Sequence, residues 1–413
     1  MAIWLKDLLR AAVAILIMGI APVVAGDWSD NIVLGHTSAF NDNPSLAVHS
    51  NGYVFTESEQ FTNDLIYTMP DGKFDILGSL TRNDYFGPGA GTARDVFLPS
   101  IQAHLNKFGP RTTFDLTARY AFEQVPFLDN SIYDNCTPIP GTVLLDCDGV
   151  ITDPVPNFSN GTKHSLSSQA VLTYALDERD SLTWTNSLGR KLYTKNAGST
   201  ATTYSSQLGF DRKLTKRNDG NFSLGFDWLD VNNPARLDRY VLSAKGKVTS
   251  HLTNRVTMHT GAGLSWINLA LDDVALPGTP RSTRASWTAN ANLGFDYLLN
   301  ETTSLSINEY VTAVQQTNNK FLNRYTTSMD MSHQISERSS LDVTSGVTFA
   351  EAIGAKGKET IFSFNVSPSY SLKLTPHWTL GAAYKFALRK SSAGTATSNN
   401  VNVSLTKDFV ANP

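Results

Sequence analysis

Eight histidines and two cysteines, with 37 acidic and 34 basic side chains, are what this 413-residue chain offers for chemistry. A hydrolase needs a nucleophile, a base and an orienting group within reach of one another. The histidines (His36, His49, His104, His164, His251, His259, His333 and His377) are scattered instead. Three of them lie in or beside expected turns. Serines are abundant, but they recur at alternate positions, as small polar lining would. No catalytic constellation is expected, and the chain reads as a non-enzyme. Asp146-Cys147-Asp148-Gly149 and Asp153 form a local acidic cluster. Its spacing lacks the closing glutamate of a calcium loop, so it reads as a solvated loop, with no metal and no cofactor expected. Cys136 and Cys147 enclose ten residues. In an oxidising exported compartment they are expected to form a disulfide, which stiffens the loop by about 2–3 kcal/mol.

The remaining ionisable groups are more informative because they recur on one side of a period-two pattern. Trp287, Ala289, Ala291, Leu293, Phe295, Tyr297 and Leu299 alternate with Ser286, Thr288, Asn290, Asn292, Gly294 and Asp296. Phe114, Leu116, Ala118, Tyr120 and Phe122 alternate with Asp115, Thr117, Arg119, Ala121 and Glu123. Period two places one set on each face of a strand. On the polar faces stand Asp115, Arg119, Glu123, Lys245, Lys247, Asp296, Lys373, Lys385 and Arg389. These are the expected pore-lining residues, with Asp227, His259 and Asp342 on the same faces.

Positioning them takes long strands. Composition agrees: apolar residues make up 41% and charged residues 17%, both below soluble-domain norms. Mean hydropathy of −0.19 excludes a many-helix membrane protein, and a net charge of −3 gives no reason to expect nucleic acid. Breaks between the runs alternate in style. Short polar ones include 176–181, 299–304, 335–340 and 374–377. Longer Gly/Pro/Asn-rich ones include 87–94, 195–200, 272–281, 352–358 and 391–397, and the longest spans 125–163. Short turns at one end and long loops at the other mark a transmembrane β-barrel. A spanning sheet must close, because an open edge leaves backbone groups unsatisfied in lipid.

Eighteen spans are expected, an even number that puts both termini in the periplasm. The second, near 53–67, carries Glu57, Glu59 and Asp64 and alternates poorly. If the first two spans form a plug or lid, the number falls to 16. Trp184, Trp228, Trp266, Trp287, Trp378, Tyr174, Tyr240, Tyr297 and Tyr370 suit interfacial belts. Residues 1–25 read as a secretory signal: Lys6 and Arg10, then a short apolar run ending in Val23-Val24-Ala25. Residues 26–413 then form a single barrel domain, with 125–163 as a long extracellular loop.

On these features the mature chain resembles bacterial outer-membrane β-barrel proteins of the porin class. More narrowly, Asn41-Asp42-Asn43-Pro44, a following strand and a Pro-Asp-Gly turn at Pro70 are similar to β-barrel porins found near exopolysaccharide gene sets. The last run, ending at Phe409, resembles the C-terminal signal read by the barrel-insertion machinery, although Val410-Ala411-Asn412-Pro413 follows it. The resemblance implies an all-β, antiparallel up-and-down barrel in outer-membrane lipid, with no catalytic residues to carry over. It implies a passive channel for small hydrophilic solutes. The alternative is a barrel supporting exopolysaccharide export or surface attachment. The oligomeric state is left open.

Overall fold

A computed structural model describes residues 27–44, 50, 52–90, 96–124, 136–138, 145–147, 162–193, 200–232, 236–271, 282–315, 321–353, 360–391 and 394–411. The strands are β1 (Asp27–Asn41), β2 (Val54–Met69), β3 (Gly72–Phe86), β4 (Val96–Phe108), β5 (Thr112–Gln124), β6 (Cys136–Pro138) and β7 (Leu145–Cys147). Then come β8 (Thr162–Ala175), β9 (Asp180–Tyr193), β10 (Thr200–Lys213), β11 (Asn218–Asn232), β12 (Arg236–His251), β13 (Val256–Leu271) and β14 (Ser282–Asn300). The last six are β15 (Thr303–Gln315), β16 (Phe321–Ser336), β17 (Ser339–Ile353), β18 (Thr360–Thr375), β19 (Trp378–Ser391) and β20 (Gly394–Ala411). All but β6 and β7 join one 18-stranded antiparallel sheet, and β1 pairs with both β2 and β20, so the sheet closes. The expected 18 spans are all present, and the first two are wall strands. No helix among the described residues is long and apolar enough to cross a membrane.

Opposed residues in an antiparallel pair share a face, so the register fixes both walls of the barrel. Phe364 lies opposite Val347 and Leu388, while Asn365 lies opposite Gly346 and Ala387. The first set belongs to the wall that leaves large apolar side chains open, among them Trp287 at 71% exposure and Leu264 at 56%. The second belongs to the inner wall, where Ser363, Ser265 and Thr348 are buried. All nine tryptophans and tyrosines expected in interfacial belts fall on the outer wall by the same parity.

The short turns share one device. A side-chain oxygen two or three residues ahead of the next strand accepts backbone N–H groups within the turn. Asp177 accepts from Arg179 and Asp180, Thr215 from Arg217 and Asn218, Thr253 from Arg255 and Val256, and Thr375 from His377 and Trp378. The turn into β3 is tight in another way. A side chain at Gly72 would strike the backbone of Asn106, and Phe108 N–H donates to the Asp71 carbonyl at 2.7 Å.

One break differs from expectation. The 391–397 segment reads as a long loop, yet Ser391 pairs directly with Gly394, leaving two residues between β19 and β20. Gly394 has φ of 135°, a region nearly closed to other residues, and this makes so short a connection feasible.

The Asn41-Asp42-Asn43-Pro44 element latches the seam where the sheet closes. Asp42 accepts the backbone and side-chain N–H groups of Asn399, each at 2.7 Å. Asn41 Oδ1 accepts the Ser398 hydroxyl at 2.9 Å, and Asn43 Nδ2 donates to the Thr397 carbonyl at 2.8 Å. The leader expected at 1–25 lies outside the described residues, as does most of the loop 125–163. Within that loop, β6 and β7 form a small ribbon in which Cys136 stands opposite Cys147 in backbone register.

Candidate functional site: the inner wall

Eighteen strands about 4.8 Å apart and tilted by about 40° enclose a backbone circle of roughly 18 Å radius. The described residues build no packed core inside it. The fully buried large side chains are only Leu229 and Val241, and the buried cluster is Ala387 with Ala396. The site is therefore the inner surface of the wall and the charges on it.

The register places all nine expected lining residues on that surface. Asp115 lies opposite Asn106 and Val171, Arg119 opposite Gln102 and Ser167, and Glu123 opposite Lys163. Lys245 lies opposite Ser223 and Gly263, and Lys247 opposite Asn221 and Gly261. Asp296 meets Thr257 and Ser306, Lys373 meets Thr379, Lys385 meets Asn400, and Arg389 meets Ser363. The same parity adds residues that sequence reading left out: Asp64, Asp75, His104, Lys163, Lys191, Asp211, Arg239, Arg324 and Asp330. The signal was available in the alternation of each span, but their strands were read for their apolar faces.

Near the periplasmic turns the carboxylates are gathered by histidines and amides. His104 reaches Asp115 through Nε2 at 2.7 Å and Asp75 through Nδ1 at 3.1 Å. Asn106 Nδ2 donates to Asp115 at 3.1 Å, and the Lys73 ammonium is 3.5 Å from Asp75. Seven strands further round the wall, counting β8 as the next after β5, the arrangement recurs with His259 at 2.7 Å from Asp296. Ser306 donates to Asp296 at 2.7 Å, and Thr249 is hydrogen-bonded to His259 at 3.1 Å. Asp211 accepts from Asn221 at 2.7 Å. Asp64, Asp330 and Asp342 stand within six residues of the same end of their strands.

The extracellular half carries the opposite sign. Arg119, Lys163, Lys191, Arg239, Arg324, Lys385 and Arg389 stand seven or more residues from the periplasmic ends of their strands. Their acidic company among the described residues is Glu123 and Asp227. Glu123 is held by Lys163 at 3.4 Å and by the Ser165 hydroxyl at 3.2 Å. Arg324 is buried in the wall at 2% exposure. The lumen therefore has two belts, net acidic below, where Lys73, Lys245, Lys247 and Lys373 stand among the more numerous carboxylates, and net basic above. Among the described residues no group of three or more His, Cys, Asp or Glu is arranged to hold a metal ion. The Asp146–Asp153 cluster lies outside the described side chains.

No family profile matches the chain, and no curated protein matches it. Solved structures do. OccK9 (OpdG) of Pseudomonas aeruginosa superposes with a TM-score of 0.50 at 12% identity, covering 93% of this chain and 99% of that one. OpdO of the same organism gives 0.50 at 10% identity, covering 93% and 97%. The FrpB iron transporter of Neisseria meningitidis gives 0.52 at 12% identity, covering 91% of this chain, which spans 63% of that chain's length. Likeness at such identity speaks to fold alone. With the closed wall, the apolar exterior and the paired turn styles, it places the chain in the bacterial outer membrane as an 18-stranded β-barrel.

Proposed function

We propose that the barrel is a passive channel for small hydrophilic solutes. The observation that carries this reading is a wall of 18 strands whose inner face is polar and charged, with no packed core among the described residues. Barrels of 16–18 strands leave an aqueous bore, whereas 22-stranded transporters have a plugged lumen. Solutes move by diffusion past fixed charges, which tune selectivity by their field rather than by a pocket. The same bore needs no cofactor and no catalytic residue. The exopolysaccharide reading rests on the Asn41–Pro44 element, and the seam latch accounts for that element without polysaccharide.

Planar-bilayer recording tests the proposal. Steady ohmic steps on insertion of the purified protein are expected, and a protein that inserts without conductance overturns it. The segment 1–25 is proposed as a cleaved leader, which N-terminal sequencing of the membrane-extracted protein checks. Cys136 and Cys147 are proposed to form the loop disulfide, supported by their opposed backbone positions in β6 and β7. Directly opposed strand residues have Cα atoms about 4.5–5.5 Å apart, within disulfide range. Both thiols should resist alkylation until reduced, and free labelling of both in the native protein refutes the bond.

A further inference from the structure

The two belts act in series on anything that crosses the lumen, and their signs differ. A cation entering from outside first meets Arg119, Lys385 and Arg389 and is repelled there. An anion passes that belt readily but then meets a belt in which Asp296, Asp330, Asp342 and the other carboxylates outnumber Lys73, Lys245, Lys247 and Lys373, so its net sign is negative. The slower of two steps in series sets the rate, so net charge of either sign is penalised once. A solute carrying both charges close together sees nearly cancelling potentials in both belts. It is oriented by the field but not excluded. We infer that this channel favours zwitterionic, net-neutral solutes over ions of the same size. This rests on the channel reading above and adds the substrate class to it.

Screening sets the conditions. The Debye length is about 30 Å at 0.01 M salt and about 3 Å at 1 M. At low salt the field of each belt therefore crosses a lumen of this radius, and at 1 M it stays at the wall. A second consequence follows from the order of the belts. Cations are the majority carriers in the acidic half and anions in the basic half. A positive periplasmic potential drives both toward the middle of the pore, where they accumulate, and the opposite potential empties it. Current at low salt is therefore larger when the periplasmic side is positive.

The test uses the full-length protein in vesicles and in planar bilayers. Uptake of β-alanine, its amide cation and its N-acetyl anion is compared in 0.01 M salt, with arabinose as the uncharged reference. β-Alanine should enter at least about threefold faster than either ion, given lumen potentials of more than one kT, and the three rates should converge in 1 M salt. The current asymmetry should fade over the same range. Neutralising the acidic belt (Asp296→Asn, Asp330→Asn, Asp342→Asn) should raise the anion rate towards that of β-alanine and weaken the asymmetry. Neutralising the basic belt (Arg119→Gln, Lys385→Gln, Arg389→Gln) should do the same for the cation, so either set suffices if the other fails to fold. If arabinose enters but either ion keeps pace with β-alanine at 0.01 M, or the asymmetry is absent or reversed, the zwitterion inference is overturned. If arabinose itself does not enter, the channel reading fails first.

Discussion

The outer wall along β18–β20 and the outer wall along β1–β3 are built from the same kind of strand and face the same surroundings, yet they look unlike. Along β18–β20 the outward positions are Phe364, Val366, Tyr370, Leu380, Ala382, Phe386, Val403 and Leu405, with Lys407 lying 5.2 Å over Trp378 near the periplasmic rim. Along β1–β3 the outward positions include His36, Ser38, Glu57, Glu59, Arg82 and Asp84. Five of these six polar groups pair with one another. His36 and Ser38 meet Glu57 at 3.0 and 2.8 Å, Arg82 meets Asp84 at 3.1 Å, and the Arg82 guanidinium lies 5.8 Å from the Phe97 ring. Just beyond them, toward the loops, stand Phe40, Phe55 and Phe86. The contrast shows that alternation records what solvates each face, while strand formation is settled by the neighbours. With β1 on one side and β3 on the other, β2 is fully laddered despite its acidic outer positions.

The largest effect that would sharpen this contrast lies in β18. Arg at Phe364 places a charge on the lipid wall and should cost roughly 2–4 kcal/mol near the midplane. Arg at Asn365 places it on the inner wall, should cost far less, and should move ion selectivity toward anions. Urea titration of folding into vesicles, with reversal potentials for both variants, checks register and bore together. Equal destabilisation without a selectivity change would show that Asn365 faces no water.

Next in size is the seam. Asp42 is a charged acceptor for two N–H groups of β20. Hydrogen bonds to charged groups contribute about 1.5–3 kcal/mol. Asp42→Ala should lower stability by about 2 kcal/mol in the same titration, and Asp42→Asn by less. No change would remove the latch from the account of closure.

Smaller again is the polar sector itself. A lipid-facing charge close to the interface costs only about 0–1 kcal/mol. Glu59→Leu should therefore change stability by less than about 1 kcal/mol. A gain of about 2 kcal/mol or more would mean that Glu59 lies deep in hydrocarbon, and that β1–β3 sit lower in the bilayer than the position of Phe55 and Phe86 implies.

Much of the wall was legible because period two is a local signal. Most spans could be found, and many side chains assigned a face, from their own strand alone; the nine lining residues follow from that. What needed the structure was how strands sit beside one another. His104, Asp75 and Asp115 belong to three different strands, and only the register brings them within hydrogen-bonding distance. The separation into two belts depends on how far each residue lies from its turn, and the strand ends were the least certain boundaries. The β19–β20 connection was misread because Ser391–Thr397 is rich in the small residues of loops, and nothing local tells that the ladder continues through them. The role of Asp42 was hidden for the same reason, since its partner Asn399 is at the far end of the chain.

The smallest effect concerns the turns, where chemically different residues fill one slot. Asp177, Thr215, Thr253 and Thr375 make the same pair of bonds to backbone N–H groups, but only Asp177 can titrate. The N–H of Arg179, and then that of Asp180, favour the charged carboxylate and hold it below the usual range. A carboxyl group held lower in the folded state than in the unfolded state stabilises the fold above its unfolded pKa. That stabilisation is lost as pH falls through the folded value. Asp177 is fully exposed, so the effect is local and small. Between about pH 5 and pH 3, amide protection at Arg179 and Asp180 should decline, while protection at Arg217 and Asn218 behind Thr215 should hold. Asp177→Thr should make the first turn behave like the second, because the hydroxyl keeps the bonds and carries no titrating proton in this range. Protection factors from hydrogen exchange, corrected for the intrinsic rate at each pH, decide the matter. A parallel decline in both turns would show that acid loosens the periplasmic rim as a whole and that the Asp177 carboxylate is not its cause.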